Sequence, residues 1–170
     1  MIAARTKKVS LTFVRSELLY DISNIAWVEG DVMQVDDEHA RHQLIDVCED
    51  GNVDRVTRVL NLGIARCAEL LYPYSKLPVE PDTYMVDALE EPEAYTIDLL
   101  VPDDFSQTTV NYLEHLIHEL LVCMVIVDWL GMTKKESKTN WQEKIEGLER
   151  AIKATLSARV GRVRKTLAPW

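Results

Sequence analysis

All four histidines of the chain occur in two pairs with the same spacing, His39/His42 and His115/His118. A spacing of three residues places both imidazoles of a pair on one face of a helix, where they could bind a zinc ion. Neither pair forms an HExxH or HxxEH motif. Each histidine of the second pair also has a glutamate four residues away, at the spacing of intrahelical ion pairs. The pattern favours a solvated or interface helix face, with a metal site on His115 and His118 as the alternative.

Other polar groups do not form a catalytic pattern. Asp103-Asp104 precedes a predicted helix and Glu90-Glu91 lies in a predicted turn, where carboxylates cap helices and solvate loops. The six glycines are scattered, so the sequence contains no glycine-rich phosphate loop, and it contains no nucleophile elbow. We therefore predict that the protein is not an enzyme and binds no cofactor.

The cysteines and the apolar runs are informative about the cellular location of the protein. The three cysteines are widely spaced: Cys48, Cys67 and Cys123. They predict buried, reduced thiols. Met1–Lys8 is basic, but no apolar segment of a signal peptide follows it. A membrane span needs about 20 apolar residues, whereas His118-Glu119 and Asp128 interrupt the most apolar run. We predict a cytoplasmic protein with no membrane partner.

The charge is distributed unevenly along the chain. The net charge is −9, yet six of the 19 basic residues and none of the 28 acidic residues lie in residues 150–170. Residues 77–133 contain no lysine or arginine and many carboxylates. This pattern indicates an acidic body with a basic C-terminal arm.

The first half of the chain predicts one strand and three helices. Alternation over Lys8–Val14 predicts the strand, and Ser16 is a possible N-cap of a helix that runs to Gly30. A second helix is predicted from Asp36 or Asp37 to Asp50-Gly51, with the glycine as a left-handed cap. Asn52 is a possible N-cap of the third helix, which Pro73 ends.

The second half predicts an acidic β-insertion and two longer helices. Tyr84–Val86 and Tyr95–Val101 read as the strands of a hairpin, joined through Glu90-Glu91-Pro92-Glu93. Helix four is predicted from Asp104 or Ser106 to Leu130, with Gly131 at the C′ position. Helix five follows a capping box that begins at Thr133 or Thr139. Its apolar stripe is Trp141, Ile145, Leu148, Ile152 and Leu156.

These elements predict a mainly α fold. We expect a bundle of about five helices with a short hairpin, in a single domain over residues 1–158 that carries its β-insertion at about 78–102. Residues 159–170 form the predicted basic C-terminal arm, which is extended. Helix four is apolar nearly all round, and such a helix needs burial on several sides.

The basic arm allows three interpretations. Its arginines could complement the dipole of the last helical turn, bind nucleic acid, or lie across the acidic surface of a neighbouring subunit. The acidic body opposes DNA binding and offers a complementary protein surface, so we prefer the third interpretation. The predicted docking residues of the arm are Arg159, Arg162, Arg164, Lys165 and Trp170.

The pattern over residues 97–170 resembles a known family. It combines the long apolar helix YLEHLIHELLVCMVIVDWLGM, the Trp-led amphipathic helix WQEKIEGLERAIKATL and an Arg-rich C-terminal arm. This combination is similar to the small head-to-tail connector, or neck, proteins of tailed phages and prophages, most of all those of gut Bacteroides-type phages. The likeness is one of pattern and includes no diagnostic motif.

The resemblance implies a mechanical role. The chain would form a homo-oligomeric ring in the virion, mounted below the portal and joining it to the tail, after assembly in the host cytoplasm. Ring packing would bury the excess apolar surface of helix four or five. An acidic lumen would repel phosphates and let DNA pass. Glu90, Glu91 and Glu93 of the insertion are a second predicted contact.

Two alternatives belong to other functional classes. The chain could be a regulatory module that recognises a partner helix through Val122, Val125 and Ile126. It could also be a small metal-dependent enzyme built on the two histidine pairs. Between the phage roles, a connector and a tail-terminator protein both fit the pattern.

Overall fold

The computed structural model describes residues 6–32, 38–78, 89–134 and 136–157. Within these ranges the chain is mainly α-helical with a two-stranded antiparallel sheet, which confirms the predicted fold class. The elements in chain order are β1 (Thr6–Val14), α1 (Arg15–Asp31), α2 (Glu38–Ile45), a 3-10 turn (Asp46–Cys48), α3 (Val53–Leu70), β2 (Ala94–Pro102), α4 (Gln107–Thr133) and α5 (Lys138–Ser157).

Helix α4 is the centre of the bundle and packs against α1, α3 and α5. It begins where predicted, because the Ser106 hydroxyl accepts a hydrogen bond from the Thr108 amide at 3.2 Å. Ile117, Val122 and Cys123 are at most 1% exposed although they point to different sides of the helix. Among the described helices, α4 alone is long and apolar enough to cross a membrane by length and composition, a property that core helices of soluble proteins share. Half of its most apolar window is buried inside the fold.

Helix α5 covers one side of α4 with its predicted stripe. Ile152 and Leu156 are buried, and Trp141, Ile145 and Leu148 pack against the core with partial exposure. The N-terminal end of α5 is also tied to α1, because the Trp141 indole donates a hydrogen bond to Glu29 at 3.0 Å. Burial of the α4 surface is therefore shared between helices of the same chain.

Strand β2 pairs with β1, a long-range partner that the sequence pattern did not predict. The antiparallel register runs from Val14↔Ala94 to Thr6↔Pro102. The predicted strand Tyr84–Val86 lies outside the described residues. Alternation explains the pairing, since both strands bury every second side chain on the same face of the sheet. The buried set is Leu11, Phe13, Tyr95, Ile97, Leu99 and Val101.

Two predicted N-caps have other roles. Helix α1 begins at Arg15, directly after β1, with Val14 at the N-cap position, so Ser16 lies inside the helix. The Arg15 amide is satisfied by the Glu93 carbonyl at 3.0 Å, which replaces a side-chain cap. Asn52 does occupy the N-cap position of α3, but its side-chain amide donates to the Asp46 carbonyl at 2.8 Å.

Helix ends also differ from the predictions. No described glycine has a positive φ, so neither Gly51 nor Gly131 is a left-handed cap. Helix α4 continues through Gly131 to Thr133, and its last turn is closed by a hydrogen bond from the Lys134 amide to the Leu130 carbonyl at 2.9 Å.

The remaining helix boundaries also differ from the predicted ones. Helix α2 gives way to the 3-10 turn after Ile45, well before Asp50. Thr133 lies in α4 and Thr139 in α5, so neither threonine caps helix five. The Thr133 hydroxyl instead donates to the Trp129 carbonyl at 2.9 Å, which accounts for its position inside the last turn of α4.

Helices α3 and α4 approach each other closely at Gly63. A Cβ atom added to Gly63 would lie 2.9 Å from Cδ2 of Leu121. That distance is well below an ordinary carbon–carbon contact of about 3.5–4.0 Å. The absence of a side chain at this position therefore sets the spacing of the two helices.

Candidate interaction surfaces

The second histidine pair lies at the contact between α4 and α1. Nε2 of His118 is 2.7 Å from Oδ2 of Asp21, so the imidazole and the carboxylate join the two helices. His115 lies one turn earlier on α4 and lines the same open hollow of about 530 Å³. The other lining residues belong to α1: Ser16, Glu17, Tyr20 and Asp21. The structure brings these histidines to a surface between helices.

The histidines do not form a metal site in the part of the chain that the structure describes. No group of three or more His, Cys, Asp or Glu side chains there is arranged to hold a metal ion. On α2, the imidazole of His39 lies 3.3 Å from the Gln43 amide. The i to i+4 ion pairs expected within α4 are also wrong, since His118 contacts Asp21 and Glu119 contacts Lys144.

Helix α1 exposes a stripe that we call the α1 face. It consists of Glu17, Tyr20, Asn24, Trp27 and Val28. The opposite side of the helix is buried through Leu18, Ile22 and Ala26. Tyr20 is 72% exposed and Trp27 is 53% exposed, which is unusual for two aromatic side chains on one helix face.

A second hollow, of about 420 Å³, lies beside the same stripe. Its lining residues are Tyr20, Ser23, Asn24, Trp27, Ile45, Cys48 and Glu49. Tyr20 therefore stands between the two hollows. Together the hollows carry the carboxylates of Glu17, Asp21 and Glu49, and their linings include no lysine or arginine.

A groove of different character runs between α3 and α5, and we call it the α3–α5 groove. Its volume is about 590 Å³. The apolar part of the lining is Val59, Leu62, Met124, Val127 and Ile145, and the basic part is Arg55, Arg58, Arg66 and Lys138. Leu62 is 66% exposed on the α3 side.

Two arginines of the groove are held by carboxylates. The Arg55 guanidinium binds Asp128 with both ends of its fork, at 2.8 Å from Nε and 2.5 Å from Nη2. Arg66 forms an ion pair with Glu149 of α5. These contacts orient the arginines along α3.

The two surfaces lie on opposite sides of the bundle. His115 borders the α1 face and Met124 lies in the groove. They are nine residues apart on α4, or about 2.5 helical turns at 3.6 residues per turn, and so point in opposite directions.

The other predicted contacts have mixed outcomes. Glu91 forms an ion pair with Arg15 at 3.6 Å, and Glu90 and Glu93 are exposed. The predicted arm residues Arg159, Arg162, Arg164, Lys165 and Trp170 lie outside the described residues. Val122, Val125 and Ile126 are at most 2% exposed, so the prediction that they bind a partner helix is wrong. These three side chains are part of the hydrophobic core.

The three cysteines are free, as predicted, and two of them are fully buried. Burial raises the pKa of Cys67 to about 12 and that of Cys123 to about 11. Burial also raises the pKa of the half-buried Cys48 thiol. The folded chain therefore keeps Cys67 and Cys123 protonated at pH values where an unfolded chain, with thiol pKa values near 8.5, would ionise them.

These thiols predict a loss of stability in alkali. Their contribution is complete below about pH 8.5 and is lost as the pH rises towards the folded pKa values, by about 1.4 kcal/mol per pH unit for each thiol. We expect the thermal midpoint to fall more steeply between about pH 9 and pH 11 in the natural chain than in a Cys67→Ala/Cys123→Ala variant. Val122→Ala is the control, because it weakens the same core and keeps both thiols. Equal slopes in all three proteins would contradict the prediction.

No family model, no curated protein and no solved structure matches this chain.

Proposed function

We propose that this chain is a structural assembly protein that forms a ring of identical copies, and that the ring is a neck component joining portal to tail in a tailed phage or prophage particle. The ring part rests on one observation: the bundle has two exposed surfaces of unlike character on opposite sides of α4. The particle part rests on the resemblance of the α4, α5 and basic-arm pattern to neck proteins.

Two unlike surfaces on opposite sides are what a head-to-tail contact requires. Such heterologous contacts generate a ring when the rotation between copies closes, and a filament when it does not. Exposed aromatic side chains support this role, since Tyr and Trp are enriched at the centres of protein interfaces. The α1 face provides one surface and the α3–α5 groove provides the other.

The charge distribution fits the passage of DNA through such a ring. The net charge of −9 would repel phosphates, and an acidic lumen would let DNA move without binding. The basic arm is the proposed contact to an adjacent subunit, the portal or a tail protein, through Arg159, Arg162, Arg164, Lys165 and Trp170. Glu90 and Glu93 provide a second outward contact.

The first test is the native mass of the full chain. We expect a single species of many copies by light scattering, seen as closed rings by negative-stain electron microscopy. The measurement should extend to about 100 μM, well above the dissociation constants of specific interfaces. A monomer at that concentration would contradict the proposal, and open filaments would contradict a closed neck ring.

The arm has its own test. Ending the chain after Ala158 removes all five proposed docking residues and leaves the described helices intact. We expect the truncated chain to fold with the same thermal midpoint. We also expect it to form a smaller oligomer than the full chain, or to no longer bind the copurified portal. A control variant removes two basic charges from α5 instead of the arm, by replacing Arg150 and Lys153 with glutamine. Unchanged assembly and portal binding after truncation would remove the arm from the proposal.

A further inference from the structure

We propose that the α3–α5 groove of one copy binds the α1 face of the next copy, so that these two surfaces form the contact that repeats around the assembly. The inference rests on the proposed ring and names its interface. Tyr20 and Trp27 are the anchors on one side, and Leu62 with its arginine neighbours receives them on the other.

The two surfaces match in length and in periodicity. On α1 the exposed stripe runs from Glu17 to Val28, and on α3 the groove wall runs from Arg55 to Arg66. Each covers twelve residues of helix, and its first and last residues are about 16 Å apart at a rise of 1.5 Å per residue. An exposed helix face laid into a groove between two helices is a common mode of protein recognition.

The apolar contents also match. The groove floor provides Val59, Met124, Val127 and Ile145 beneath the exposed Leu62. Tyr20 and Trp27 are the largest apolar groups that the described chain leaves in solvent on α1. Burying an aromatic side chain of this kind is the typical source of a binding hot spot.

The charges are complementary. Four basic residues line the groove, and two of them are paired within the chain, Arg55 with Asp128 and Arg66 with Glu149. The hollows beside the α1 face carry three carboxylates and no lysine or arginine in their linings. In a chain of net charge −9, two copies repel each other overall, so the groove is the surface that can attract an acidic face of another copy.

The chemistry selects a second copy through the α1 face over a symmetric contact. Two grooves facing each other would bring basic side chains together, and two α1 faces would bring carboxylates together. Only the unlike pair places opposite charges together. Since the surfaces lie on opposite sides of α4, their pairing leaves one of each free for the next copy.

The test blocks one surface at a time and then mixes the variants. Variant G carries Leu62→Glu and Arg58→Glu in the groove, and variant F carries Tyr20→Glu and Trp27→Glu on the α1 face. Each variant alone is expected to be monomeric, because it retains only one working surface. A 1:1 mixture is expected to form a heterodimer and nothing larger, measured by light scattering, since F offers an intact groove and G an intact α1 face.

A matched control separates the interface from the fold. Leu100 is 56% exposed on the outer side of β2, and Leu100→Glu places a glutamate away from both surfaces. This variant should assemble as the natural chain does. Circular dichroism and thermal midpoints establish that F and G are folded; if either is not, the milder pair Trp27→Ser and Leu62→Ser is used in its place.

The outcomes distinguish this inference from the proposed ring. If the natural chain assembles and F and G assemble equally well, the ring stands and this interface is wrong. If G alone still dimerises while F does not, the contact joins two α1 faces and the inference is also overturned. A monomeric natural chain overturns both the ring and its interface.

Discussion

Replacing Leu121 by alanine is expected to lower the free energy of unfolding by about 3–5 kcal/mol, the usual cost of deleting a fully buried leucine from a core that cannot collapse. Leu121 is 0% exposed and lies where α3 and α4 approach most closely. Urea unfolding followed by circular dichroism measures the change. Leu100→Ala on the exposed side of β2, outside both proposed surfaces, is the control and should change stability by less than about 0.5 kcal/mol.

The close approach at Gly63 makes the prediction sharper. In the natural chain Gly63→Ala gains up to about 1 kcal/mol in helix propensity but places a Cβ at 2.9 Å from Leu121 Cδ2. We therefore expect Gly63→Ala to destabilise the natural chain. In the Leu121→Ala background the clash is absent, and Gly63→Ala should stabilise. A double-mutant cycle measures the coupling, which is expected at about 1–3 kcal/mol. Additive effects would show that the two residues are not in contact.

Replacing Leu99 by alanine is expected to cost about 2–5 kcal/mol, whereas the same change at the adjacent Leu100 costs less than about 0.5 kcal/mol. Leu99 is 1% exposed and Leu100 is 56% exposed. The difference follows from the register of β2 with β1, in which neighbouring side chains point to opposite faces.

The Leu99/Leu100 pair also tests the register itself. A shift of one residue would move every side chain of β2 to the other face. Equal unfolding free energies for the two alanine variants, or a larger loss at Leu100, would contradict the antiparallel alignment of Val9 with Leu99. Backbone hydrogen bonding is preserved in both, including that from the Leu100 amide to the Tyr74 carbonyl at 2.8 Å.

The sequence was most informative where a local pattern determines structure. The apolar circumference of α4 predicted its central position, and Ser106 marked its start. The stripe of α5 from Trp141 to Leu156 predicted the side that packs on the core. In each case burial within one chain enforces the period that is visible in the residues.

Long-range partners could not be predicted in the same way. The alternation of β2 was evident, but no local sequence signal identifies β1, rather than a nearby strand, as its partner. The predicted N-cap of α1 was wrong for a related reason, because the Arg15 amide donates to the carbonyl of Glu93, which is distant in the sequence. Tertiary contacts replace the local signals that the sequence offers.

Only part of the candidate surfaces could be predicted from the sequence. Tyr20 and Trp27 fall on the side of α1 opposite to Leu18 and Ile22, so their exposure could have been anticipated from the helical period. The groove could not have been predicted from the sequence, because it combines side chains of α4 and α5 with the arginines of α3. The spacing of His115 and His118 predicted that they share one helix face, and in the structure that face borders the α1 face.

The pairing of β1 with β2 also determines the order in which this chain can fold. Residues 15–93 separate the paired strands, so closing the sheet requires a long loop and is entropically slow. During synthesis β1 emerges first and must wait for β2, while α1 and α3 can form. An unpaired alternating strand is a template for association with other chains. Until β2 has been made, β1 is therefore a segment that can pair with other chains.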